Sequence, residues 1–170
     1  CGHGTIAAAH LLRELEVLSK ATQPFRQAMN REIWEISFEG DLIWIRLGPG
    51  EVRTAKVDRR ELAQLLGLDS SALKEILWAS TGNPVLLCEI SNGMTLDNLM
   101  PDWNGLAHFT QRHDVIGLHC FAIDPHDSKN HLRARVFAPS HGINEDPATG
   151  STTSSLALYL FSQGNMSPRD

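Results

Sequence analysis

Two stretches, one near each end of the chain, open alike and constrain the fold more than any other feature. Residues 2–9 read Gly-His-Gly-Thr-Ile-Ala-Ala-Ala, and residues 150–157 read Gly-Ser-Thr-Thr-Ser-Ser-Leu-Ala. Each begins with glycine, continues with hydrogen-bonding side chains and then runs into small or apolar residues at helical spacing. The pattern predicts helices over residues 3–19 and 148–163. The run Ala7–Ala9 favours a first helix packed on several sides, with His10 in the core.

The two predicted helix starts suggest an anion-binding site. The first turn of a helix carries free backbone N–H groups and the positive end of the helix dipole. Glycine at that position (Gly2 and Gly150) lets a ligand approach the backbone closely. Two such ends facing each other would clamp an anion such as a carboxylate. The structural alternative stays open, in which both glycines only begin helices and Ser151 is a cap.

The residues between the two helices mix strand-like and helix-like patterns, which predicts an α+β fold. Strands are expected where β-branched and aromatic residues follow one another between turn signals, at residues 32–38, 42–47, 85–90, 117–124 and 132–138. Shorter helices are expected at residues 59–66, 70–75, 95–99 and after Pro101, with Asp58 and either Asp69 or Ser70 as N-caps. The patterns predict loops at 21–31, 124–130 and 139–147. A new structural unit is predicted to begin near Trp78, which gives two domains, residues 1–76 and 77–170.

Composition narrows the classes of partner. The 170 residues carry a formal net charge of −5, which disfavours nucleic acid, and no apolar run approaches the ~18 residues of a membrane span. Three cysteines are too few for a disulfide framework or a zinc site, so we expect a reducing, cytoplasmic setting. The chain opens with Cys1 rather than Met, and we expect an internal segment of a longer protein.

The most specific motif is residues 137–151, Phe-Ala-Pro-Ser-His-Gly-Ile-Asn-Glu-Asp-Pro-Ala-Thr-Gly-Ser. Together with Cys1–Ala8, Ser80–Pro84 and Leu99–Leu106, it resembles the phenazine-biosynthesis (PhzF-like) family, a branch of the diaminopimelate-epimerase fold. The resemblance implies two pseudo-symmetric domains, incomplete here. Each would be a strongly curved sheet around one central helix, with the active site in the cleft between the domains.

The resemblance also implies site residues and a reaction. The catalytic positions are His3, Asp146 and Ser151, and the substrate-binding positions are Gly2, Thr149 and Gly150. The implied activity is that of an isomerase or epimerase. It would transfer a proton on a small carboxylate-bearing substrate without a metal or organic cofactor.

The sequence departs from the family pattern at the general base. In complete members that base is a Glu preceding the Cys-Gly-His motif, and this sequence begins at Cys1. We therefore expect a protein of these 170 residues alone to turn over substrate poorly or not at all. The alternative function is a truncated or degenerate member that binds a small carboxylate, or acts as a structural, dimerising domain. A homodimer is expected in either case.

Three other chemistries are weaker. Two-thiol epimerase chemistry at Cys1 needs a second thiol, whereas Cys88 and Cys120 lie in apolar strand-like runs and are expected to be buried. A hydrolase triad of His3, Asp146 and Ser151 lacks the Gly-x-Ser-x-Gly elbow. The histidine pairs that could suggest a metal lie in polar stretches and are expected to be solvated: His108 with His113, and His126 with His131. We expect no metal.

Overall fold

The structure, a computed structural model, describes residues 2–18, 24–29, 32–123 and 132–164. The chain divides into two compact units, Cys1–Pro49 (unit 1) and Gly50–Asp170 (unit 2). Helices and β-sheets occur in both, which confirms the predicted α+β class. The described helices include none that is long and apolar enough to cross a membrane.

Unit 1 consists of one helix and a three-stranded antiparallel sheet. The helix is α1 (Gly2–Glu14), and the strands β1 (Phe25–Met29), β2 (Glu32–Glu39) and β3 (Leu42–Arg46) lie in the order β1-β2-β3. The strands predicted at residues 32–38 and 42–47 are confirmed as β2 and β3. The prediction of a loop at 21–31 was wrong for residues 25–29, which pair with β2 as an edge strand.

Helix α1 is more exposed than its alanine run predicted. Within unit 1 it packs against β3, and only Thr5 and Ala9 are buried. Residues four apart lie on one face of a helix, so a single neighbouring element buries a narrow stripe and leaves the other faces outward. The expectation of packing on several sides was therefore wrong for this unit. The expectation of a core His10 was also wrong, because that residue is exposed.

Unit 2 is a six-stranded sheet with helices on both faces. Its strands, in the spatial order β4-β5-β6-β7-β8-β9, are β4 (Glu51–Thr54), β5 (Leu73–Ser80), β6 (Pro84–Ile90), β7 (Leu118–Ile123), β8 (Leu132–Ala138) and β9 (Ile143–Asp146). Its helices are α2 (Arg59–Leu65), α3 (Gly93–Asp97), α4 (Trp103–Arg112) and α5 (Gly150–Ser162). Strands β6 and β7 are parallel, and α3 and α4 lie in the connection between them.

An aspartate caps α2, as the sequence predicted, and another caps α4. The Asp58 side chain accepts hydrogen bonds from two backbone N–H groups of the first turn of α2, and Asp102 does the same for Gly105 N–H in α4. Asp69 caps only a short 3-10 turn over residues 70–72. The predicted helix over 70–75 was wrong beyond that turn, because from Leu73 onward the chain pairs with β6.

The two faces of this sheet bury separate apolar clusters. Cys88 and Cys120 are register partners on the face that packs with α2, α3 and α4, and both are fully buried, as predicted. On the opposite face, Leu87 and Phe121 pack with Leu156 of α5. Successive strand residues point to opposite faces, so the apolar runs of β6 and β7 serve both clusters. Helix α5 is thereby fixed on the sheet.

The structure leaves two predictions untested, the division into family domains and the loop at residues 124–130. The boundary expected between residues 76 and 77 lies inside β5, and the division of the chain into two family domains stays a prediction. The hairpin loop expected at residues 124–130 lies outside the described residues, as do Cys1, His126 and His131.

Candidate functional site

Asp146 ends β9 and faces the start of α5. Its Oδ1 accepts a hydrogen bond from Ala148 N–H at 3.1 Å, and its Oδ2 accepts one from the Thr149 hydroxyl at 2.6 Å. This local turn is typical of an aspartate followed by Pro147, because the short side chain reaches the backbone two residues on. The half-buried carboxyl is therefore fixed in orientation at the first turn of α5.

The first turn of α5 is open to ligands. Thr149 occupies the N-cap position without a side-chain capping bond, because its hydroxyl is turned to Asp146. Gly150 and Ser151 are exposed, and a methyl group added at Gly150 would meet no atom within 4 Å. Free N–H groups and the helix dipole favour an anion at this position. The arrangement can bind a carboxylate beside a carboxyl that can donate or accept a proton.

A turn between β5 and β6 supports the second turn of α5. The Thr81 hydroxyl lies 2.6 Å from Ser154 Oγ and donates to the Ser151 carbonyl at 3.3 Å. Ser154 Oγ also donates to the Ser151 carbonyl at 2.7 Å. Thr81 belongs to the Ser80–Pro84 stretch that contributed to the family resemblance. These bonds connect that turn with the α5 motif.

An ion pair that the sequence analysis missed holds β9 next to Asp146. Arg135 of β8 donates two 2.8 Å hydrogen bonds to the two carboxylate oxygens of Glu145, and its Nη1 donates to the carbonyls of Leu96, Asp97 and Leu99. The Arg135 guanidinium lowers the pKa of the Glu145 carboxyl. Arginine alternating with apolar residues on β8, followed by an acidic pair on β9, is the signal that could have indicated this contact.

A buried histidine was also missed. His119 of β7 is 2% exposed, and its Nδ1 lies 2.9 Å from the Thr152 hydroxyl in the first turn of α5. Burial lowers the pKa of His119 to about 4, so the imidazole is neutral at pH 7. In the described part of the chain, no hydrogen-bond partner reaches its Nε2. A single ionisable residue within an apolar strand was the available signal.

The predicted site residues divide between the two units. Asp146, Thr149, Gly150 and Ser151 lie together in unit 2, at the junction of β9 and α5. Gly2 and His3 lie in unit 1, exposed in the first turn of α1. A methyl group added at Gly2 would meet no atom within 4 Å, as at Gly150. The predicted clamp of two helix starts stays a prediction.

The buried Cys120 thiol is a poor nucleophile. A hydrogen bond with Cys88, together with burial, raises the pKa of the Cys120 thiol well above its ordinary value, so it stays protonated. The described residues contain no group of three or more His, Cys, Asp or Glu side chains placed to hold a metal. His113 contacts Phe109 in a tilted arrangement, with ring centroids 4.5 Å apart and an interplanar angle of 51°.

Comparisons with known proteins agree on one family. The sequence profile of the PhzC-PhzF family, described as phenazine biosynthesis-like protein, matches residues 1–170. An uncharacterized isomerase of Clostridium acetobutylicum is 30% identical over 168 residues, covering 94% of this chain and 55% of that protein. The trans-2,3-dihydro-3-hydroxyanthranilate isomerase of Pseudomonas aeruginosa is 31% identical over 100 residues, 59% of this chain and 33% of that protein.

A solved structure shows the same fold. The Bacillus anthracis phenazine biosynthesis protein of the PhzF family matches with a TM-score of 0.81 at 23% identity, covering 94% of this chain and 56% of that chain. This confirms the predicted diaminopimelate-epimerase-like fold, of which the chain corresponds to a part. The chain spans little more than half the length of both the Clostridium and the Bacillus protein.

Proposed function

We propose, from the premise that this chain belongs to the PhzC-PhzF family of phenazine biosynthesis-like proteins, that it performs cofactor-independent isomerisation of a small carboxylate. Its relatives are named isomerases, which supports isomerase activity in the family. The observation that carries the proposal is the Asp146 carboxyl, held by two hydrogen bonds beside the open first turn of α5.

The first turn of α5 is proposed to bind the substrate's carboxylate. Its backbone N–H groups offer hydrogen bonds to both oxygens, and the helix dipole favours the negative charge. Gly150 supports this role because no side chain obstructs an approach to its backbone. Thr149 is proposed to take part through its place at the N-cap of α5, because its hydroxyl already donates a hydrogen bond to Asp146.

Asp146 is proposed to move the proton. In an isomerisation of this class, one carbon next to the unsaturated system loses a proton and another gains one, so atoms and electrons balance without a redox partner. The proton lost by the first carbon is proposed to go to the general base that the family pattern places before Cys1, and the protonated Asp146 carboxyl, fixed beside the bound carboxylate, gives its proton to the second carbon. Ser151 and His3 are proposed, on the resemblance, to orient the substrate and relay protons. The homodimer and the cytoplasmic setting also stay predictions.

A second candidate is binding of a small carboxylate without turnover, in a domain that dimerises. The exposure of apolar side chains on α1 and directly after it favours this candidate, since Ile6 and Leu11 of the helix are 40% and 56% exposed and the following Leu15 is 63% exposed. Exposed apolar surface of this kind is typical of interaction sites. The two candidates share the binding step and differ in turnover.

The test measures binding and turnover separately. Binding uses 3-hydroxyanthranilate, a stable aromatic counterpart of the compound for which the Pseudomonas relative is named, in calorimetry. Turnover uses trans-2,3-dihydro-3-hydroxyanthranilate in D2O, with deuterium uptake followed by NMR. We expect saturable binding by these 170 residues. Turnover is measured in the protein at the full length of its relatives, with the general base present, and there we expect Asp146→Asn to retain binding while deuterium uptake falls by about 100-fold or more.

Asp69→Asn is the matched control for Asp146→Asn. Asp69 makes the same kind of turn, accepting from the Ser71 backbone N–H at 2.8 Å and from the Ser71 hydroxyl at 2.6 Å, but it caps only a 3-10 turn. Its variant is expected to match the wild type. Absence of saturable binding, or equal turnover by Asp146→Asn and wild type, would contradict the proposal. Binding with no turnover by any variant would favour the second candidate.

A further inference from the structure

A chain of hydrogen bonds connects the interior of unit 2 to Asp146. It runs from His119 Nδ1 to the Thr152 hydroxyl at 2.9 Å, and from that hydroxyl to the Thr149 carbonyl at 3.2 Å. It ends with the Thr149 hydroxyl donating to Asp146 Oδ2 at 2.6 Å. Strand β7 and the β9–α5 junction are thereby linked through side chains and the Thr149 backbone, whose carbonyl also accepts from the Thr153 N–H at 3.1 Å and from the Thr153 hydroxyl at 2.9 Å.

The direction of these bonds follows from counting protons. The Thr152 hydroxyl has one proton, and the Thr149 carbonyl can only accept it. If that proton goes to the carbonyl, His119 must carry its proton on Nδ1 and donate to Thr152. The opposite tautomer would place an N–H on the buried Nε2 with no acceptor among the described residues, which is the costlier arrangement. The geometry therefore assigns an Nδ1-protonated His119.

The neutral state of His119 makes this donor permanent near pH 7. Burial lowers its pKa to about 4, so the ring does not gain a second proton over the physiological range. Thr152 is 1% exposed and Thr149 is half-buried, which keeps water from competing for the bonds that join them.

We propose that His119 is a positioning residue, which orients the Asp146 carboxyl by fixing Thr152 and, through it, Thr149. The expected effect on ligand binding rests on the proposed function. The effect of His119 on the orientation of the Asp146 carboxyl does not, because it exists in the protein without ligand. His119 lies at the packed end of the network, and the candidate site lies at the exposed end. Loss of the His119 donor leaves Thr152 free to rotate, and Thr149 then holds Asp146 less precisely.

Four variants separate positioning from general destabilisation. His119→Leu and Thr152→Val each remove one partner of the 2.9 Å bond, and His119→Asn returns a donor N–H near the position of Nδ1. Thr110→Val is the matched control. Thr110 is also a fully buried helical threonine, donating to the Leu106 and Ala107 carbonyls, but it lies in α4 on the other face of the sheet.

The first readout is the affinity for 3-hydroxyanthranilate. We expect His119→Leu and Thr152→Val each to lower it by about tenfold, His119→Asn to restore it to within about twofold of wild type, and Thr110→Val to leave it unchanged. The double variant His119→Leu/Thr152→Val is expected to bind no more weakly than either single variant, because both act on one bond. Additive losses, or a loss in Thr110→Val equal to that in His119→Leu, would overturn the inference.

The second readout does not require a ligand. The carboxyl ¹³C resonance of Asp146 is expected to shift in His119→Leu and Thr152→Val and to stay in place in His119→Asn and Thr110→Val. If the wild type binds no 3-hydroxyanthranilate, the proposed function fails while this readout still decides the positioning role. An Asp146 resonance unmoved by Thr152→Val would overturn it, even if His119→Leu does not fold.

Discussion

Helices α1 and α5 begin with similar sequences and reach different environments. Each has 13 residues and opens on glycine followed by hydrogen-bonding side chains. Helix α5 packs against four strands of its sheet and buries Thr152, Ser155, Leu156 and Leu160, whereas α1 packs against β3 and buries two residues. The opening sequence thus determines where a helix starts, and the sheet beside it determines how much of it is buried.

The largest expected difference between the two helices is in the loss of stability when a leucine side chain is truncated to alanine. Leu156 of α5 is 2% exposed, and Leu156→Ala should lower the free energy of unfolding by about 3 kcal/mol, through lost burial and a cavity. Leu11 of α1 is 56% exposed, and Leu11→Ala should cost less than about 1 kcal/mol. Urea denaturation of both variants measures the contrast, and equal losses would show that α1 is as buried in solution as α5.

A pH effect of similar size is expected on the α5 side alone. Because the pKa of His119 is lowered to about 4 in the folded chain from an ordinary 6.5, the unfolded chain binds a proton between these values that the folded chain does not. The part of the free energy of unfolding that depends on neutral His119 is fully present above pH 6.5. It falls by about 3 kcal/mol as the pH approaches 4. Urea unfolding at several pH values should show this decline, and His119→Asn should remove that part of it. An equal decline in His119→Asn would contradict a buried neutral His119.

Two arginines of similar exposure, one in each unit, are also expected to differ in their contribution to stability. Arg135 of unit 2 has a 21% exposed side chain and contacts Glu145 and three carbonyls, whereas Arg13 of α1 is 22% exposed and donates to the Gly40 carbonyl. Arg135→Met should cost about 2 kcal/mol, because several acceptors lose their donor, and Arg13→Met about 1 kcal/mol or less. Thermal unfolding measures both costs, and the reverse order would contradict the anchoring role of Arg135.

The smallest stability effect is expected at the two opening glycines. A methyl group meets no atom within 4 Å at either Gly150 or Gly2, so Gly150→Ala and Gly2→Ala should change the free energy of unfolding by less than about 1 kcal/mol. Gly150→Ala should nevertheless weaken 3-hydroxyanthranilate binding, since the methyl group lies in the path to the backbone N–H groups. Calorimetry tests this, and unchanged affinity would favour a purely structural role for Gly150.

Local signals predicted much of the fold, and pairing explains the rest. The apolar runs of β6 and β7 and the capping residue Asp58 indicated their elements correctly. The strands that were missed, β1, β4 and β9, all lie at sheet edges, where pairing with a single neighbour defines the strand. The stretches that contain β1 and β9 were predicted as loops.

The candidate site shows the same division between local and distant contacts. Asp146 and Thr149 are three residues apart, so a short motif contains their contact. The contact of His119 with Thr152 spans 33 residues and depends on how α5 packs on β7, which no local pattern indicates. A short motif in the sequence therefore indicated the Asp146–Thr149 contact but not the interior residues that lie behind it.

Binding of a carboxylate at the first turn of α5 is tested by an NMR titration of the ¹³C,¹⁵N-labelled chain with 3-hydroxyanthranilate. We expect saturable shifts that are largest at the backbone amides of Gly150 and Ser151 and at the Asp146 carboxyl, because the carboxylate binds at the first turn of α5. Saturable shifts confined to other parts of the chain, with these three groups unmoved, would contradict it.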